Sequence, residues 1–209
     1  MVALKTSRLL IRSVEERDWR AIREIRIRFA ESPYARYDRP FDTGEEAVRQ
    51  RVARWASLSA CDTQDHLFFS VCLKDTVIGY LALNRRADSH EIGYCFHTDY
   101  HGHGYAGESI GALLAYAKEN GIRRITAGTA LNNLPSVRLL RALGFRQTGT
   151  ETVSFEPIRS ERIPTERVPT EKVPTEQVPT EKIPTEKISA GIIPTETIRF
   201  EGGLFEIVL

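Results

Sequence analysis

Residues 100–111 read YHGHGYAGESIG, two histidines alternating with glycines ahead of what reads as the first turn of a helix. Three readings compete for such a stretch. His101 and His103, with His97 and His90 close by, are metal-ligand types, but no cysteine stands at zinc spacing. A loop without chemistry is the second reading. The third is an anion site. The first N–H groups of a helix are unsatisfied, the helix dipole favours negative charge there, and Gly102 and Gly104 let the backbone come close to a ligand. The spacing is neither that of a P-loop nor that of a GxGxxG dinucleotide fingerprint. The strand–loop–helix setting favours a phosphate cradle, and no metal is expected. Cys95, in the strand before the loop, has the atom of a nucleophile, but its setting reads as a buried thiol.

The elements that must hold this loop are legible from apolar spacing. "RLLIRSV" (8–14) reads as a strand. Residues 18–30 form a helix through Trp19, Ile22, Ile25 and Phe29, with Asp18 as its cap. A second helix, 43–58, carries Val48, Val52 and Trp55 on one face and a Thr43/Glu46 capping box. "HLFFSVCL" and "VIGYLALN" form a hairpin, and 91–97 is a further strand. Along it Ile92, Tyr94 and Phe96 face one way and Glu91, Gly93, Cys95 and His97 the other. The helix after the glycine loop buries Ile110, Leu113, Leu114 and Ala117 and stops at Asn120–Gly121. A strand, a short helix ending at Gly144 and two more strands complete a mixed α/β domain.

The 209 residues suffice for one domain with a real core. Lys and Arg number 29 against 28 Asp and Glu, so no broad basic surface for nucleic acid or membrane is demanded. Three scattered cysteines without a CxxC point to free thiols in a reducing compartment. Charges interrupt the opening residues, which excludes a secretory leader, and no apolar run reaches the roughly 18 residues of a membrane helix. A cytoplasmic protein is expected.

One segment breaks the pattern. An aliphatic residue recurs every five positions from Val153 to Ile198, mostly within Pro-Thr-Glu units. Five matches neither the strand nor the helix period, and a proline in each unit forbids a long helix and a central strand. Extended or disordered chain is its natural state. The expected organisation is a discontinuous domain, 1–155 plus 200–209, with 156–199 inserted in the final hairpin. Lengthening a loop from about 4 to about 45 residues costs only about 2 kcal/mol. The segment reads as a tolerated expansion rather than an interaction arm or an ordered repeat.

"HGHGYA" resembles the (Arg/Gln)-x-x-Gly-x-(Gly/Ala) motif of the GNAT N-acetyltransferases. "TSRLLIR", "EIGYCFHTDYHGHGYAGE" and "NNLPSVRLLRALGF" together resemble the subgroup that includes ribosomal-protein N-terminal (alanine/serine) acetyltransferases. The resemblance covers about residues 6–155 and the last strand; the repeat has no counterpart in it. It implies a twisted, mostly antiparallel sheet of about seven strands flanked by about four helices. It implies acetyl-CoA as cosubstrate and direct transfer of acetyl to a primary amine, on a protein N-terminus or a small molecule, in a ternary complex. Acetyl-CoA would be held by Phe96, His97, Thr98, His101, Gly102, His103, Gly104, Tyr105, Ala106 and Asn133. His101 departs from the motif's Arg or Gln, and Leu140 stands where many members carry an acid tyrosine. The resemblance then points to Ser136 as general acid and to Glu91 as base, with Glu151 and Glu156 as rivals. A backbone N–H of 92–97 would take the oxyanion. The other class of reading is a weak or inactive acyl-CoA-binding protein working through its repeat arm. Either would be a monomer or homodimer.

Overall fold

The computed structural model describes residues 2–61, 65–155 and 198–209. Eight strands form one sheet in the order β1-β2-β3-β4-β5-β6-β8-β7. They are β1 (Ala3–Lys5), β2 (Leu9–Ser13), β3 (His66–Leu73), β4 (Thr76–Arg85), β5 (His90–Phe96), β6 (Arg124–Ala130), β7 (Arg146–Phe155) and β8 (Ile198–Val208). The helices are α1 (Trp19–Ala30), α2 (Glu45–Ser59), α3 (Tyr105–Glu119) and α4 (Leu134–Ala142). The sheet thus has one strand more than the expected seven. β1 is the addition: three residues are too few to show a period, and only its pairing with β2, Ala3 opposite Arg12, defines it. β8 starts at Ile198 and pairs with β7 up to Phe155, so the last two residues of the expected insertion belong to the sheet. The rest of that insertion, 156–197, lies outside the described residues.

Every neighbouring pair of strands is antiparallel except β5 and β6, which run parallel and pair only at His90–Ile125 and Glu91–Thr126. Beyond those two positions the strands separate, and the sheet opens between them.

Each face of the sheet carries its own packing. Leu67, Phe69, Leu81, Leu83, Ile92 and Phe96 meet Ile110, Leu113 and Ala117 of α3 and Val137 and Leu140 of α4. On the other face Trp19, Ile22, Val48 and Val52 of α1 and α2 close over Phe68 and Tyr80. Trp19, Ile22 and Ile25 of α1 and the apolar positions read for α2 and α3 therefore lie in the core or against it.

Two expected caps are otherwise. Asp18 precedes α1, but its carboxylate faces inward. It accepts from Arg12 Nη1 and Nη2 (both 2.7 Å), from Ser70 Oγ (2.7 Å) and from the Glu15 N–H (2.9 Å). A buried carboxylate is better satisfied by a guanidinium than by a helix end. Gly44, not Thr43, stands at the head of α2, and the Thr43 carbonyl accepts from Arg23 Nε (2.7 Å). Among the described residues no helix is long and apolar enough to cross a membrane.

Candidate active site

The opening between β5 and β6 is the neck of a cavity of about 830 Å³ that reaches both faces of the sheet. One end is the glycine loop. Gly102 and Gly104 both take left-handed backbone (φ +77° and +79°), and Gly104 stands at the head of α3. A side chain at either position would be strained. Among the described residues no acceptor meets the N–H groups of Gly102 through Gly107; the first bonded amide is Glu108, to the Gly104 carbonyl at 3.0 Å. Six consecutive free amides at the positive end of a 15-residue helix make a site for a diphosphate.

The loop is fixed from below. Glu108, in the first turn of α3, accepts from Thr6 Oγ1 (2.5 Å), Ser7 Oγ (3.1 Å), the Arg8 N–H (3.0 Å) and Arg8 Nε (2.7 Å). Arg8 also donates to the His103 carbonyl (3.0 Å) and lies over the Tyr105 ring (4.6 Å). Desolvation would raise the Glu108 carboxyl, but the bonds from Thr6 and Arg8 outweigh it and hold it at about 2. "TSR" near the start of the chain is thus the foot of the loop.

The histidines are spent on backbone. His101 Nε2–H donates to the Phe96 carbonyl (3.0 Å), and His103 Nδ1–H to the His101 carbonyl (2.7 Å). The His101 ring pins the loop to the end of β5 where the motif's Arg or Gln would offer positive charge. The described residues hold no group of three or more His, Cys, Asp or Glu arranged for a metal ion. Phe96, His101, Gly102, Gly104, Tyr105, Ala106 and Asn133 line the cavity; His97, Thr98 and His103 are not on its wall.

Past the loop the cavity follows β5. His97 N–H bonds the Ile78 carbonyl on β4 (2.9 Å), so by antiparallel alternation the odd residues of β5 direct their amides to β4 and Ile92, Tyr94 and Phe96 direct theirs toward β6. Where the strands have parted, the Tyr94 and Phe96 amides face the opening. They are the donors available to an oxyanion.

Ser136 and Glu91 both line this cavity. Asn133 caps α4, its Oδ1 accepting from the Ser136 N–H (3.4 Å). That leaves the Ser136 hydroxyl free to bond Tyr94 Oη, 2.7 Å away. Burial pushes the Tyr94 phenol up, offset in part by Ser136, so it stays protonated at neutral pH. From sequence Tyr94 was read only as one of three residues on one face of its strand; Ser136 is 42 positions further along, beyond any local pattern.

Glu91 pairs with Arg86, through Nε at 2.7 Å and through Nη2. Glu151 is exposed and off the cavity wall, and Glu156 lies outside the described residues. Cys95 is buried, and burial pushes its thiol up to about 11, against a role as nucleophile.

Arg26 of α1 is a further lining residue that sequence reasoning missed. It is 7% exposed, its Nη1 donates to Asp38 Oδ2 (2.7 Å), and its Nε–H has no acceptor among the described residues. A donor left so costs about 1–3 kcal/mol. In the sequence Arg26 reads as one of several arginines on a charged helix face.

Comparison with known proteins places this geometry. Residues 8–146 match the family model described as acetyltransferase (GNAT) domain. The "Uncharacterized N-acetyltransferase YnaD" of Bacillus subtilis (strain 168) is 32% identical over 151 residues, 70% of this chain and 84% of the relative. Among solved structures, RimL, the ribosomal L7/L12 alpha-N-protein acetyltransferase in complex with coenzyme A, superposes with a TM-score of 0.71 at 14% identity, covering 100% of this chain and 98% of its own. The ribosomal-protein-S5-alanine acetyltransferase from Vibrio fischeri gives 0.68 at 16% identity, with 100% and 97% covered.

Proposed function

Because this chain belongs to the GNAT acetyltransferase family, we propose that it transfers the acetyl group of acetyl-CoA to a primary amine by direct attack in a ternary complex. One observation carries the reading. A row of unbonded amides at the head of α3 opens into the gap between β5 and β6, and that gap ends beside Ser136 and Glu91. A diphosphate fits the amides, and an extended thioester arm fits the gap.

In the proposed reaction the amine lone pair attacks the thioester carbonyl carbon. The C–N bond forms, and negative charge on the carbonyl oxygen is met by an amide of β5, Tyr94 or Phe96. The C–S bond then breaks. The departing sulfur takes the Ser136 hydroxyl proton, Tyr94 Oη steadies the serine oxygen by a hydrogen bond while keeping its own proton, and the proton gathered by Glu91 returns to that oxygen through water. Glu91 takes the proton the amine loses, directly or through water. Arg86 holds its carboxylate at the start of β5.

The acceptor in this reading is a protein N-terminus or a small amine. An α-amine is roughly 10–15% neutral at pH 7 and a lysine amine roughly 0.04%, so the former asks far less of the base. That RimL is an alpha-N-protein acetyltransferase supports this choice.

The test is thermal unfolding of the purified chain with acetyl-CoA, with free CoA and with zinc in separate samples. Ligand at a hundred times its dissociation constant stabilises by about 2.7 kcal/mol, a shift of several degrees. Acetyl-CoA and CoA should raise the midpoint. A midpoint moved by zinc alone would remove the phosphate reading of the loop.

A further inference from the structure

On the α1/α2 side of the sheet the cavity wall becomes aromatic and cationic. Trp55 is stacked on Phe68 (4.9 Å between centroids, 6° between planes) and leans on Tyr80 (5.3 Å), so its ring is held in place. Phe41 meets two guanidinium groups, Arg26 at 4.5 Å and Arg51 at 4.3 Å from its centroid. The two charges are therefore within about 9 Å of one another, close enough to repel through one screening length.

The negative charge present does not balance them. Asp38 and Glu91 are the only carboxylates among the described lining residues. Asp38 answers Arg26, and Glu91 is held by Arg86 outside the cavity wall. Arg51 has no carboxylate partner among the described residues, nor has Arg39, which lines the same cavity. Arg26 does tie down the 31–42 loop, through Asp38 and a 3.5 Å contact from Nη2 to the Arg39 carbonyl. That role leaves its buried Nε–H without an acceptor among the described residues and does nothing for Arg51.

We propose that the acceptor carries, besides its amine, an acidic group on a planar apolar frame. The frame packs on Trp55 and Tyr80, and the acidic group faces Arg51. Exposed Arg51 meets the anion; buried Arg26 adds its charge from the wall. Guanidinium suits this task, since it binds carboxylates through two parallel bonds and stacks on aromatic rings. The proposal rests on the acetyl-transfer reading above and names the substrate class of that site.

The experiment compares 4-(2-aminoethyl)benzoate with 4-(2-aminoethyl)benzamide, which share the ring and the amine and differ in charge. Acetylation of each by the full chain is followed with saturating acetyl-CoA. The acid should exceed the amide in kcat/KM on the order of tenfold. Arg51→Ala should bring the ratio close to one, and Arg26→Gln should do the same provided it folds. Arg51 is exposed, so its variant decides if the other is unstable. An amide accepted as well as the acid, or a ratio unmoved by Arg51→Ala, overturns the proposal and leaves acetyl transfer standing. If no amine is acetylated and acetyl-CoA produces no thermal shift, both readings fall together.

Discussion

Tyr94 Oη and Ser136 Oγ are 2.7 Å apart, a strand residue and a helix residue joined at the place where β5 and β6 separate. In the proposed transfer this contact would divide the labour of a general acid. Ser136 and Tyr94 both line the cavity, and desolvation of the half-buried phenol keeps its proton in place. Ser136→Ala should lower kcat by about 10²-fold with little change in the KM for acetyl-CoA. Tyr94→Phe should lose less, and by a constant factor from pH 7 to pH 9, because the phenol does not ionise there. Steady-state rates against pH decide this; a Tyr94→Phe loss that changes across the range would show a titrating phenol.

Gly104 offers a test of the cradle. Alanine at φ +79° costs about 1–2 kcal/mol of backbone strain, while its nearest neighbour, Arg8 Nη2 at 3.5 Å, is at ordinary contact distance. Gly104→Ala should be destabilised by that amount and should bind acetyl-CoA more weakly. Gly102→Ala meets no atom within 4 Å and should show the strain without any packing contribution. Denaturation and ligand titration of both variants read the two effects separately.

Glu108 predicts a pH dependence of stability. Its carboxyl sits at about 2 in the folded chain, below its ordinary 4.5, so the ionised form stabilises the fold. That contribution is complete above pH 4.5 and is lost as pH falls toward 2. Glu108→Gln should unfold a few degrees below the parent at pH 7. The gap should close between about pH 5 and pH 2. A gap that stays constant over that range would mean the foot of the loop is not held by this charge.

Glu91 is tested by the protonation state of the acceptor. Glu91→Gln should slow acetylation of an α-amine by about 10²-fold at pH 7. The deficit should shrink above about pH 8, where the amine is neutral without help. A deficit independent of pH would mark Glu91 as a positioning residue held by Arg86.

What the sequence disclosed, and what it withheld, follows from distance along the chain. The helices and most strands announced themselves because apolar periodicity is local: Val48 and Val52 in α2, or Ile110 to Ala117 in α3, are read within one window. The glycine loop was legible for the same reason. Glu108 was not, because its partners Thr6, Ser7 and Arg8 lie about a hundred residues away. Asp18 misled as a cap because its carboxylate is engaged by Arg12 from another element, and Thr43 because the helix starts one residue later, with Gly44 at its head. Arg26 gave no local sign of burial, because its place at the cavity wall is set by Asp38 and Phe41 in the loop that follows α1.

The central claim is amine-dependent acetyl transfer, and release of CoA thiol tests it most directly. Purified chain, acetyl-CoA and a panel of α-amines should give thiol release that rises with amine concentration, with one acetylated amine formed per thiol. Release that ignores the amine, or none at all from a chain whose midpoint acetyl-CoA raises, would contradict transfer and leave a protein that only binds the thioester.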